Sequence, residues 1–250
     1  MLAITRRNLI KEELNAQKSV TISELAEKLK VTKETIRRDL RFMANNGELI
    51  RTHGGAYILD GVQNSINISM RKVLKTDEKK IMSQKCRELI NPGDSIFLDI
   101  STTAWFIAQQ IHNMSLTVVT PSLKIANILS DSSSINLFLI GGSFSQKSMS
   151  FIGERAYQAL NQYYMDKAFI SCRSVSLNHG VTDSGDSEAV IHRLALQHSS
   201  LKYLVMDQTK IGKTSFSFVC NLKEISGLVC DCELSKEWKD KLTTMGLRFY

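Results

Sequence analysis

The sequence lacks the marks of a membrane, secreted or disulfide-stapled protein. It has no run of about 18 apolar residues, so no membrane span is predicted. Its first stretch, MLAITRRNLIKEELNAQK, is too charged for a signal peptide, and a cytoplasmic location is expected. The five cysteines, Cys86, Cys172, Cys220, Cys230 and Cys232, are odd in number, scattered, and form no Cys-x-x-Cys pair. They fit neither a disulfide framework nor a zinc site of that pattern, so buried thiols in a reducing compartment are expected, with no metal and no cofactor. What remains is ordinary: 250 residues, 43% hydrophobic and 23% charged, enough for one large domain or two unequal ones.

Charge is unevenly placed. Residues 1–57 carry 11 Lys and Arg against 7 Asp and Glu, while the remaining 193 residues carry 21 against 18. More than half of the net charge of +7 therefore sits in under a quarter of the chain, which suggests a nucleic-acid-facing module at the N-terminus.

The local pattern there is helical. Leu9, Ile10 and Leu14 predict an amphipathic helix over about residues 4–16, and Ser23 is placed to cap a second one, ELAEKLK. After a tight turn at Lys30 and Val31, Thr32 can cap a third, KETIRRDLRFM, with Val31 and Ile36 spaced as a hydrophobic staple. Ile36, Leu40 and Met43 face inward. Glu34, Arg38 and Arg41 point away from them, with Lys33 and Arg37 on the shoulder. Gly47 ends that helix, ELIRT reads as a strand, and Gly54 and Gly55 supply a hairpin turn. Three helices and a hairpin make a winged helix-turn-helix, whose third helix enters the major groove while the wing follows the backbone. The candidate DNA-binding residues are Thr32, Lys33, Glu34, Thr35, Arg37, Arg38 and Arg41 on the helix, with Arg51, His53, Gly54 and Gly55 on the wing. Adjacent arginines point about 100° apart, so one can reach a base edge while the other grips a phosphate. Asp39 is placed to orient a guanidinium or to form a surface ion pair.

The stretch SELAEKLKVTKETIRRDLRFMANNGELIRTHGGA resembles the signature of the DeoR family of bacterial transcription regulators. The matching residues are Glu24, Leu25, Ala26, Val31, Thr32, Thr35 to Leu40, Gly47, Leu49, Arg51 and His53 to Ala56.

Residues 58–70 lack periodicity and read as a linker between a DNA-binding domain, 1–57, and a second domain, 71–250. In the latter, apolar runs SIFLDI, LTVVT, INLFLIGG, KAFISC, KYLVMD and GLVC alternate with helical stretches, which predicts a mainly parallel α/β sheet. In such sheets ligands bind beyond the carboxyl ends of the strands. The residues there are Asp99, Ser101, Thr102 and Thr103, then Thr120, then Gly141 and Gly142, then Arg173, then Asp207 and Lys210. A helix start at Ser101 to Thr103 suits an anion, acids suit sugar hydroxyls, and Arg173 or Lys210 could hold a phosphate. Trp105, Phe106 and Ile107 read as core and helix packing. Glu188 and His192, one helical turn apart, could present two metal ligands, but without a third they read as a helix-surface pair.

Here too the family resemblance continues, through KCRELINPGDSIFLDISTT, LIGG, FIGERA, DKAFIS and MDQTKIGKTSF. It implies a sensor domain similar in fold to ribose-5-phosphate isomerase that senses a phosphorylated sugar at Asp99, Thr102, Thr103, Gly141, Gly142, Asp207 and Lys210. The chain departs from the family pattern at Ile100 and Ser101 (usually Ser-Gly), Pro121 (usually Asn), Ser174 (usually Gly) and His192 (usually Lys).

The expected function is a DNA-binding repressor of a carbohydrate-metabolism operon, controlled by a phosphorylated sugar and acting as a homo-oligomer, dimer or tetramer, on double-stranded operator DNA. It is expected to have no enzymatic activity and no membrane partner. The competing reading is a sugar-phosphate isomerase-like enzyme with an N-terminal regulatory module, and a third is a winged helix serving protein or RNA contacts.

Overall fold

A computed structural model describes residues 1–17, 19–46, 48–52, 54–57 and 75–250, with Ile50 described by its backbone alone. Gly47, His53 and the predicted linker 58–70 lie outside the described residues. The chain divides into two compact units, Met1–Thr76 and Asp77–Tyr250.

The first unit begins with α1, Ala3–Gln17, whose buried stripe is Arg6, Ile10 and Leu14. Leu9, expected inside, is half-buried, and an arginine takes the next inward position. Strand β1, Ser19–Thr21, leads into α2, Ile22–Lys28. The cap of α2 is Thr21, not Ser23. Thr21 accepts from the Glu24 amide at 3.1 Å and the Glu24 side chain accepts from the Thr21 amide at 3.2 Å, a reciprocal box that Ser23 cannot form. Lys30, with φ of +51°, makes the sharp turn into α3, Lys33–Asn45. There Thr32 caps as expected, accepting from Thr35 at 3.2 Å. Ile36, Leu40 and Met43 are buried with Ile10, Leu14, Val20, Ile22 and Leu25 in one core, and Val31 packs against it.

The wing is smaller than ELIRT suggests. Strands β2, Ile50–Arg51, and β3, Gly55–Tyr57, pair antiparallel, and β1 adds to β3 to make a three-stranded sheet. Gly55 opens a strand instead of sitting in the turn, with its amide held by Thr52 Oγ1 at 3.1 Å.

The second unit is built on seven parallel strands. They are β4 (Ser95–Leu98), β5 (Leu116–Thr120), β6 (Ile135–Leu139), β9 (Met165–Ile170), β12 (Ser199–Met206), β14 (Gly227–Cys230) and β15 (Arg248–Phe249), in the order β15-β14-β12-β9-β4-β5-β6. Alternate residues enter different cores, which is why the inner stretches of the central strands, such as AFI of β9 and YLVM of β12, are apolar. Ile96 and Leu98 of β4 face one side with α4 (Thr76–Glu88), α5 (Thr102–Ile111) and α6 (Leu123–Leu129). Phe97 faces the other with α7 (Glu154–Leu160), α8 (Asp186–Gln197) and α9 (Lys236–Thr244). Burial of each such side chain is worth about 1.5–3 kcal/mol.

Two small antiparallel sheets decorate this frame: β7 (Ser143–Ser145) with β8 (Ser150–Ile152), and β10 (Ser174–Ser176) with β11 (Gly180–Asp183) and β13 (Ser217–Cys220). The second depends on Gly180: its φ is +69°, and a Cβ there would lie 2.4 Å from the Cys220 carbonyl oxygen. Among the described residues no helix is long and apolar enough to cross a membrane.

Candidate functional site

In the first unit the exposed face of α3 carries Thr32, Lys33, Glu34, Arg38 and Arg41. Thr35 and Arg37 are half-buried, and Arg37 Nη1 donates to Glu34 at 3.2 Å. Arg51 is exposed on β2 and Gly54 lies in the turn before β3. Asp39 belongs elsewhere. It is only 1% exposed, and its carboxylate accepts from the Nε atoms of Arg6 and Arg7, the latter at 3.0 Å. The Arg7 guanidinium also stacks 3.6 Å from the centre of the Phe42 ring. Asp39 therefore anchors the third helix to the first. It is neither a surface pair nor a partner of Arg37 or Arg38.

In the second unit the strand order sets the site. Strands β12, β9, β4, β5 and β6 are consecutive neighbours, so the five strand ends singled out above line one rim. At its centre Asp99, which is fully buried, accepts from the Ser101 amide at 2.9 Å and the Ser171 amide at 2.7 Å. Ser171 links onward, its Oγ accepting from Lys210 Nζ at 2.7 Å. Asp207 caps the short helical turn Gln208–Lys210 by accepting from the Thr209 amide at 3.0 Å. Thr120 Oγ1 accepts from the Ser122 amide at 3.1 Å, bending the chain at Pro121 into α6. Gly142 has no room for a side chain, since a Cβ would lie 2.8 Å from the Ile152 carbonyl oxygen. Arg173 is half-buried, and among the described residues no acid pairs with it.

The helix start differs from the expectation. Ser101 Oγ already caps α5 through the Ala104 amide at 3.0 Å, and Thr102 and Thr103 are buried. Of the three hydroxyl residues only Ser101 keeps appreciable exposure, and Lys210 is half-buried with its Nζ donating to the Ser171 hydroxyl.

His192 forms no surface pair with Glu188. It is 2% exposed and sits between two carboxylates, with Nε2 at 3.3 Å from Asp99 and Nδ1 at 3.2 Å from Asp183. These distances suit hydrogen bonds, but neither nitrogen makes a well-aligned one, so charge attraction holds the ring. Burial alone would lower its pKa; Asp183 and Asp99 outweigh that and push it up to about 10. Burial likewise opposes ionisation of Asp99, yet His192, Ser101 and Ser171 hold its carboxyl below the usual range. An imidazolium is thus clamped between two carboxylates under the rim. Sequence reasoning did not find Asp183 or Ser171. Asp183 ends a strand too short to show a period, and Ser171 carries no motif of its own.

Both units match family models. Residues 6–62 match the DeoR-like helix-turn-helix domain, and residues 74–232 match the DeoR C terminal sensor domain. The chain belongs to the DeoR family. Among curated DeoR-type proteins it is 35% identical to the uncharacterized HTH-type transcriptional regulator YulB of Bacillus subtilis, over 94% of this chain and 91% of that one. It is 34% identical to the lactose phosphotransferase system repressor of Staphylococcus epidermidis, over 90% of this chain and 91% of that one. A solved ribose 5-phosphate isomerase A from Methanocaldococcus jannaschii resembles 54% of the chain, and 54% of its own, at 15% identity and a TM-score of 0.41, too loose a likeness to bear on function. As a DeoR-family protein the chain is a transcriptional regulator with a DNA-binding and a sensor domain.

Proposed function

We propose that this regulator represses a carbohydrate-metabolism operon as a homo-oligomer and releases its operator when a phosphorylated sugar occupies the rim of the sensor domain. The observation that carries the reading is the line from Asp99 through Ser171 to Lys210. Lys210, which donates to the Ser171 hydroxyl, is linked through that residue to the buried Asp99 carboxylate ahead of the start of α5. A phosphate suits Lys210 and Ser101, two polar side chains of the rim that keep some exposure. Relatives named lactose phosphotransferase system repressor, from Staphylococcus and Streptococcus mutans, support a sugar operon as the target.

The isomerase reading has less support. A general base works best with a pKa near the operating pH, whereas the best placed acid, Asp99, is held below the usual carboxylate range. Calorimetric titration of the full chain with matched pairs of sugars and sugar phosphates tests the proposal. At least one phosphorylated sugar is expected to bind while its free sugar does not. Equal binding of both members of every pair would remove the phosphate site.

A further inference from the structure

Cys230 is the last residue of β14, and the chain bends straight after it. The bend turns Cys232 back, so that the two Sγ atoms lie 3.7 Å apart. Between them in sequence, Asp231 brings its Oδ1 to 3.4 Å from Cys230 Sγ. Cys230 is buried, while Asp231 and Cys232 are half-exposed, so one side of the group is open to water.

These separations fit a particular shape. Two thiolates about 2.3 Å from a tetrahedral zinc ion lie about 3.8 Å apart, and a thiolate and a carboxylate oxygen at zinc distances lie about 3.6 Å apart. The Cys230–Cys232 and Cys230–Asp231 distances of 3.7 and 3.4 Å match two edges of that tetrahedron. We propose that Cys230, Asp231 and Cys232 bind one thiophilic divalent cation of the zinc class, with water as its fourth ligand. The donor set of two sulfurs and one oxygen excludes magnesium and calcium, which take oxygen alone.

The site is held in shape from outside. Asp231 Oδ1 accepts from the Gln208 amide at 3.0 Å, and the Cys230 carbonyl accepts from Lys85 Nζ at 2.8 Å. The carboxylate has a second oxygen and further lone pairs, so it can bind a cation and keep Gln208. Gln208 opens the turn that carries Lys210, so the ion would lie one contact from that loop.

Full-length protein, reduced and stripped with chelator, should be titrated with Zn²⁺, and with Co²⁺ to read thiolate charge transfer in the near ultraviolet. The expected result is one ion per chain, a charge-transfer band, and protection of Cys232, the half-exposed thiol, from a thiol reagent. Cys232→Ser and Cys230→Ser should each lose the band, and Cys230→Ser should also lose the protection of Cys232, with circular dichroism confirming the fold. Cys232, half-exposed, is the substitution the fold tolerates more readily. A band unchanged in a folded Cys232→Ser chain would overturn the proposal. So would a reduced wild type that binds no ion, or whose two thiols only close to a disulfide on mild oxidation.

Discussion

Asp39 of the third helix accepts from Arg7 Nε of the first at 3.0 Å, and is almost wholly buried in doing so. The pair, with Arg6 on the other carboxylate oxygen, fixes the helix that presents Arg37, Arg38 and Arg41. Removing one partner of a buried ion pair leaves the other charge unpaired, which costs about 3–5 kcal/mol. Asp39→Ala should therefore lower the melting temperature of the N-terminal unit and weaken binding to specific and random duplexes alike. An unchanged melting curve would show that the anchor contributes nothing.

Arg37 and Arg38 are expected to separate by role. Replacing an arginine that reads a base should cost about 1–3 kcal/mol and relax specificity at one position. Replacing one that grips phosphate should weaken all sequences and reduce the salt slope by about 1. Titration of Arg37→Ala and Arg38→Ala against operator and random duplexes at several salt concentrations reads both effects. Full operator affinity in both variants would contradict the assignment.

Much of this architecture is legible in the sequence, for physical reasons. The Ile36, Leu40, Met43 stripe and the Thr32 cap are local, so spacing reveals them. The inner strands are apolar because helices cover both faces of the sheet. The exceptions are local competitions or distant contacts. Ser23 and Thr21 are both plausible caps, and only the reach of Glu24 decides for Thr21. Strands β10 and β11 have three and four residues, too few for a period to show. The ring of His192 meets Asp99 only because β4, β11 and α8 are brought together by the whole fold, and no spacing in the chain announces that.

The His192 clamp carries a pH signature. Its pKa is raised in the folded state, so its stabilisation is complete below the unfolded value of about 6.5 and is lost as pH rises towards about 10. Asp99 acts in the opposite sense, its share fading as pH falls through the acid range. His192→Gln should cost about 3–5 kcal/mol near pH 6 by taking the cationic partner away from buried Asp99 and from Asp183. Melting of wild type and variant should converge as pH approaches about 10. A gap that stays constant across that range would mean that the imidazole is neutral throughout.

Lys210 is the residue whose loss should separate sensing from DNA binding. Lys210→Ala removes the proposed phosphate partner and one hydrogen bond to Ser171, worth about 1 kcal/mol. The variant should bind operator as wild type does and fail to respond to a sugar phosphate. A full response in this variant would move the phosphate to Arg173 or elsewhere.

The central claim is that a phosphorylated sugar controls the grip on DNA. Its most direct test is titration of a labelled operator duplex with the full-length regulator, with and without each sugar phosphate and its free sugar. An effector shifts DNA binding only by its differential affinity for the two states, and such coupling is commonly about 1–3 kcal/mol, or roughly 5- to 150-fold. The account predicts that one phosphorylated sugar weakens operator binding within that range while its free sugar leaves it unchanged. Operator affinity that no sugar phosphate alters, or that free and phosphorylated sugars alter equally, would contradict it.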